Sequence, residues 1–150
     1  MIKRQLLENL ANEHDRIAEM LFPEIDQEII SDEELSRLVL NPKVSEDTIQ
    51  DYLKSKYFGL AWNRYDISAN VCDSSNMVAI IPEDRTDLCL SFFNNPIIQL
   101  GTEVKGTKFY YLDNFDGYIN YRGKYPFYNQ DSSYVSHLFI SLDSRLLPQE

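Results

Sequence analysis

The spacing of apolar residues changes near Tyr57, and that change limits the folds open to this chain more than any other feature. Up to Lys56 the spacing is helical. Ile2, Leu6, Leu10, Ile17 and Leu21 fall at steps of four and seven and predict an amphipathic helix over 2–22, ended by Pro23. Ser31 and Glu34 form a capping-box pattern, with Ile30 and Leu35 as its hydrophobic staple. They open a second helix whose first turn carries Asp32, Glu33 and Glu34, where carboxylates suit the helix dipole. Leu35, Leu38 and Val39 are its apolar stripe, and Asn41-Pro42 closes it. A third helix starts at Ser45, with the staple Val44/Ile49 and the inward residues Ile49, Tyr52 and Leu53, and fades near Lys56.

After Tyr57 strand-like runs follow one another. Val78–Ile81 and Asp87–Phe93 are joined by the polar turn Pro82-Glu83-Asp84-Arg85-Thr86. Asn94-Asn95-Pro96 breaks the chain before a further run, Ile97–Leu100. Phe109–Leu112 and Tyr118–Tyr121 flank a loop, residues 113–117, in which Gly117 is expected at positive φ. Tyr134–Leu142 alternates as a final strand. Short turns between strands, with no helical pattern between them, predict an antiparallel meander. The expected fold is therefore α+β: N-terminal helices (1–56) packed on a mostly antiparallel β-sheet (57–145), one domain over 1–150. A chain of 150 residues suits a single core of this kind.

The net charge of −10, from 24 acidic and 14 basic residues, disfavours nucleic-acid phosphates and anionic lipid and favours a basic partner. Cys72 and Cys89 lack CxxC spacing, so neither a zinc site nor a disulfide is expected. No cofactor is expected either. The first sixteen residues interleave charges with apolar residues, unlike a signal peptide, and no run approaches the ~20 apolar residues of a membrane span. These features give a cytoplasmic expectation, in a bacterial or infected-host cytosol.

Aromatic residues crowd the segment 109–128: Phe109, Tyr110, Tyr111, Phe115, Tyr118, Tyr121, Tyr125, Phe127 and Tyr128. On a two-residue period they cannot all face one core, so some are expected to form a binding face. The residues expected there are Tyr110, Tyr118, Tyr121, Arg122 and Tyr125, with Asp32 and Glu33 of the acidic run as a secondary rim. The competing reading is that tyrosine simply suits a half-exposed strand.

Two histidines are present, His14 and His137. His14 has only sequence-adjacent carboxylates, which point elsewhere on a helix, and reads as structural. His137 lies in the last strand and would need a second group to act in acid–base chemistry. Glu83 and Arg85, in one turn, and Arg122, in another, are the candidates. A Glu, an Arg and a His on an antiparallel sheet behind N-terminal helices resembles, in layout only, the barnase-type ribonucleases. That implies a metal-independent hydrolase or ribonuclease as the alternative. The loop at Asp113 is no calcium loop: with Gly117 at its sixth position, Leu112 and Gly123 occupy the places that need carboxylates. Nucleotide-binding, GxSxG and HExxH motifs are missing. The leading expectation is a small acidic protein-binding module, of the kind seen in immunity proteins and phage-encoded inhibitors, that blocks a basic protein.

Overall fold

The computed structural model describes residues 14–73, 76–80, 85–113, 117–131 and 135–145. The expected helical residues 2–13, the turn residues 82–84 with Glu83, and Phe115 lie outside these.

Helix α1 spans Arg16–Ile30 and is capped by Asp15, whose side chain accepts the Ala18 N–H at 3.1 Å. Pro23 does not end it. The proline sits on the exposed side, and burial of Phe22, Ile25 and Ile29 outweighs the ~3 kcal/mol an interior proline costs. Those residues also set the inward face one position away from the expected stripe. Ile17 and Leu21 point outward, with Ile17 73% exposed. Helix α2 (Glu33–Leu40) is capped by Asp32, which accepts the Leu35 N–H at 3.0 Å; Ser31 instead closes α1. Helix α3 (Glu46–Lys56) starts at Ser45 as the sequence predicts, its side chain accepting the Thr48 N–H.

After a 3₁₀ turn (Leu60–Trp62) come β1 (Tyr65–Cys72), β2 (Met77–Ile80) and β3 (Arg85–Leu88). Helix α4 (Cys89–Leu100) leads directly into β4 (Gly101–Glu103), followed by β5 (Phe109–Leu112), β6 (Asn120–Tyr128) and β7 (Val135–Ser144). Five strands form one antiparallel sheet in the order β1-β7-β6-β5-β4, and β2 pairs with β3 as a separate hairpin. The fold is α+β, with N-terminal helices on an open, meander-like antiparallel sheet. Gly117 has φ 85°, as the loop chemistry requires.

Two expected strands are corrected. Asp87–Phe93 ends as a strand at Leu88, and Ile97–Leu100 is helical, with Asn94-Asn95-Pro96 inside α4. Cys89, Phe93 and Ile97 recur every four residues and pack with Leu112 and Phe139 on the face of the sheet away from α1–α3. That contact overrides the bulky, strand-favouring composition of the run.

The main core joins Phe22, Ile25 and Ile29 of α1, Leu35 and Val39 of α2, and Ile49 and Leu53 of α3 to the sheet. Gly123 belongs to this core face. It stands opposite Phe109, and a Cβ there would lie 2.9 Å from the Phe109 ring, so its bare backbone is what lets that ring pack. Cys72 and Cys89 are joined in a disulfide with Cα atoms 5.4 Å apart, contrary to the expectation of unpaired thiols. The pairing arises because α4 starts beside the end of β1, a proximity that sequence spacing does not encode.

Candidate functional site: a groove beside the sixth strand

Local chemistry places the walls of the groove. On one side the α1–α2 junction supplies Ile30, Ser31, Asp32, Glu33 and Ser36; on the other, β6 supplies Tyr125, Pro126, Phe127 and Tyr128, and Lys108 lies at one end. The space between them is a cleft of about 560 Å³. Ile30 (52% exposed) and Tyr128 (57%) stand at its mouth as apolar surface, while Tyr125 and Phe127 are buried beneath. Glu33 is exposed, and so are Glu24, Glu28 and Glu34 on the neighbouring turns.

Asp32 forms part of the wall but is committed internally. Its carboxylate accepts the Tyr57 hydroxyl at 2.6 Å, the Tyr52 hydroxyl at 2.8 Å and the Lys56 ammonium at 3.1 Å, besides the capping bond. Burial alone would raise its pKa, but the bonds from Tyr57, the Leu35 N–H, Tyr52 and Lys56 together hold it below the ordinary carboxylate value. Asp32, expected to meet a partner, is thus bonded within the fold while forming part of the groove wall.

Tyr121 and Tyr125, expected on the binding face, are enclosed. The Tyr121 hydroxyl donates to Glu19 at 2.6 Å and accepts the Asp15 N–H at 3.0 Å; the Tyr125 hydroxyl donates to Asp26 at 2.8 Å. Burial first, and these carboxylates second, push both phenol pKa values up. Phe109, Tyr111, Tyr121, Tyr125 and Phe127 all lie in the core and share one face of β5 and β6. The interior therefore takes more rings than expected, because two carboxylates on α1, the part-buried Glu19 and the buried Asp26, satisfy the phenols. Tyr110 is half-buried against α4, and Tyr118 is 41% exposed. Arg122 is half-buried and paired with Asp143 at 2.7 Å. Of the expected binding residues the groove gathers Tyr125, Asp32 and Glu33, with Glu33 alone offering an exposed side chain; Tyr110, Tyr118, Tyr121 and Arg122 lie elsewhere.

Ile30, Pro126 and Tyr128 were missed by sequence reasoning. Ile30 carries only a staple signal and Tyr128 belongs to the crowded aromatic segment, and neither pattern marks a groove.

Of the alternative set, His137 and Arg122 are not brought together. His137 is half-buried, stands opposite Pro126, and has its pKa lowered by burial and then by the Lys124 charge. A cation beside it disfavours the protonated ring and supplies no base to orient it. Arg122 pairs across from Ser141, four positions from His137, or roughly 13 Å along the strand. Glu83 lies outside the described residues. His14 proves better partnered than expected: its Nδ1–H donates to Glu19 at 2.8 Å and its ring stacks on Tyr111 with centroids 3.7 Å apart. A partner five residues ahead is reached because His14 precedes the helix.

Among the described residues, no group of three or more His, Cys, Asp or Glu is placed to hold a metal ion, and no helix is long and apolar enough to cross a membrane. Further large apolar side chains are exposed: Ile17, Met20 and Leu21 on α1, and Leu60 in the 3₁₀ turn. No protein-family model, curated protein or solved structure matches this chain.

Proposed function

We propose that this protein is a binding module that engages a basic-surfaced protein through the groove between the α1–α2 junction and β6, as an immunity protein or inhibitor would. One observation carries the reading: exposed apolar side chains, Ile30 and Tyr128, flank a preformed cleft whose lining includes the exposed Glu33 carboxylate. Apolar anchors ringed by charge are how protein interfaces combine affinity with selectivity. The net charge of −10 acts in the same sense. Cytoplasmic residence belongs to this reading. It has to be squared with the Cys72–Cys89 bond, since disulfides persist mainly in oxidising compartments.

The test is capture from the native host with wild type and with an Ile30→Asp/Tyr128→Asp variant. Both positions are exposed, so the melting temperature should be nearly unchanged. The expected outcome is a partner retained by wild type and lost by the variant. Equal capture by both, with both folded, removes this surface from consideration.

A further inference from the structure

The groove has a direction as well as a volume. Its lining takes Tyr125 and Phe127 from the core-facing side of β6, and Pro126 and Tyr128 from the opposite side. Residues from both faces of a strand border one space only when that space follows the strand's rim. The neighbour on that rim, β5, pairs with β6 only over Tyr121–Gly123. One more bond, from the Lys124 N–H to the Lys108 carbonyl at 3.1 Å, extends the contact. The Lys108 N–H then turns to Asp26 Oδ1 at 2.9 Å, inside the fold, so the chain before Phe109 does not continue along β6. Among the described residues no strand lies beside the end of β6 on this rim, and Asp26 helps to leave it so.

Alternation along the strand directs the main-chain groups of Pro126 and Tyr128 to the same rim as those of Lys124. The rim therefore presents the Pro126 carbonyl and the N–H and carbonyl of Tyr128. Facing it across the cleft are Ser31, Glu33 and Ser36.

The geometry points to strand addition: an extended segment of the partner protein lies between α2 and β6 and continues the sheet at Tyr125–Tyr128. This deepens the binding-module reading and rests on it. Main-chain bonds to the rim supply affinity, and alternate side chains supply selectivity. Four residues of rim, roughly 13 Å, match a short segment. Alternate positions of that segment meet two different surroundings. Basic side chains on the helix-facing side reach Glu33, the exposed carboxylate of the lining, and apolar ones on the other side rest on Pro126 and Tyr128. Asp32 does not compete for the cation, because Lys56, Tyr52 and Tyr57 already occupy it.

The experiment titrates the full chain, by fluorescence polarisation, with end-blocked peptides of about six residues that alternate Val or Tyr with Lys or Arg. Saturable binding is expected. Glu33→Lys should weaken it about tenfold, and Tyr128→Asp should abolish it. N-methylating alternate peptide amides in the rim-facing register should also weaken it at least about tenfold, and Glu-for-Lys peptides should not bind. If N-methylated peptides, or a stapled helix of the same composition, bind as well as the parent, strand addition is overturned while a groove-binding module survives. If no peptide of the set binds, the inference is likewise overturned. The capture experiment then decides separately whether the groove is used at all.

Discussion

The Asp32 carboxylate takes hydrogen bonds from three places in the chain: the first turn of α2, Tyr52 and Lys56 on α3, and Tyr57 just beyond α3. Its pKa is lower in the folded protein than in the unfolded chain, where it is about 3.9. Below that value the unfolded chain binds more protons, so stability contributed by Asp32 is present above about pH 4 and is lost as pH falls through the folded-state pKa. Urea melts between about pH 5 and pH 3 should therefore show wild type losing more stability than Asp32→Asn. Equal acid sensitivity would mean that the carboxylate is not held in its charged form. At this scale the sequence was legible wherever the chemistry is local: the caps at Ser45 and near Asp32 and the positive φ of Gly117 follow from neighbours a few residues away. It was not legible for Tyr121 and Tyr125. Their burial depends on Glu19 and Asp26, about a hundred residues earlier, meeting two phenols that would otherwise be costly to enclose.

Helix α4 and its link to β1 show what element-level patterns conceal. Cys89–Leu100 holds Phe92, Phe93, Ile97 and Ile98 beside an Asn-Asn-Pro signal, and every local preference there reads as strand and break. Packing of one helical stripe onto Phe139 and Leu112 decides otherwise. The disulfide that pins the start of α4 closes a loop with a sequence separation of 17. Such a loop is worth about 3 kcal/mol, or roughly 10 °C in Tm for a chain of this size. Cys72→Ala/Cys89→Ala should lose about that much, and wild type refolded under reductant should melt with the variant. Coincident melting of variant and oxidised wild type would show that the bond contributes nothing. Both sulfur-bearing residues are buried, so reductant should act only after partial opening.

For the whole molecule, the layer order followed from one reading of periodicity, because α1–α3 precede every strand of the sheet, with α4 the one helix among the strands that this reading misses. Which surface stays open did not, since that depends on where β5 stops and where α1 gives way to α2. The acidic excess is a property at this scale too. If it steers a basic partner, the association rate should fall several-fold between about 0.05 and 0.5 M salt while the dissociation rate changes little. A salt-independent association rate would leave the charge a matter of solubility alone.

Pro126 gives the open end of β6 a particular character. A bare strand border invites any other chain, including a second copy of the same protein, to zip onto it indefinitely. Withholding one donor in the middle of that border shortens the ladder any visitor can build. The brief, selective guest proposed above would be accommodated, and runaway self-stacking would be discouraged by the same residue.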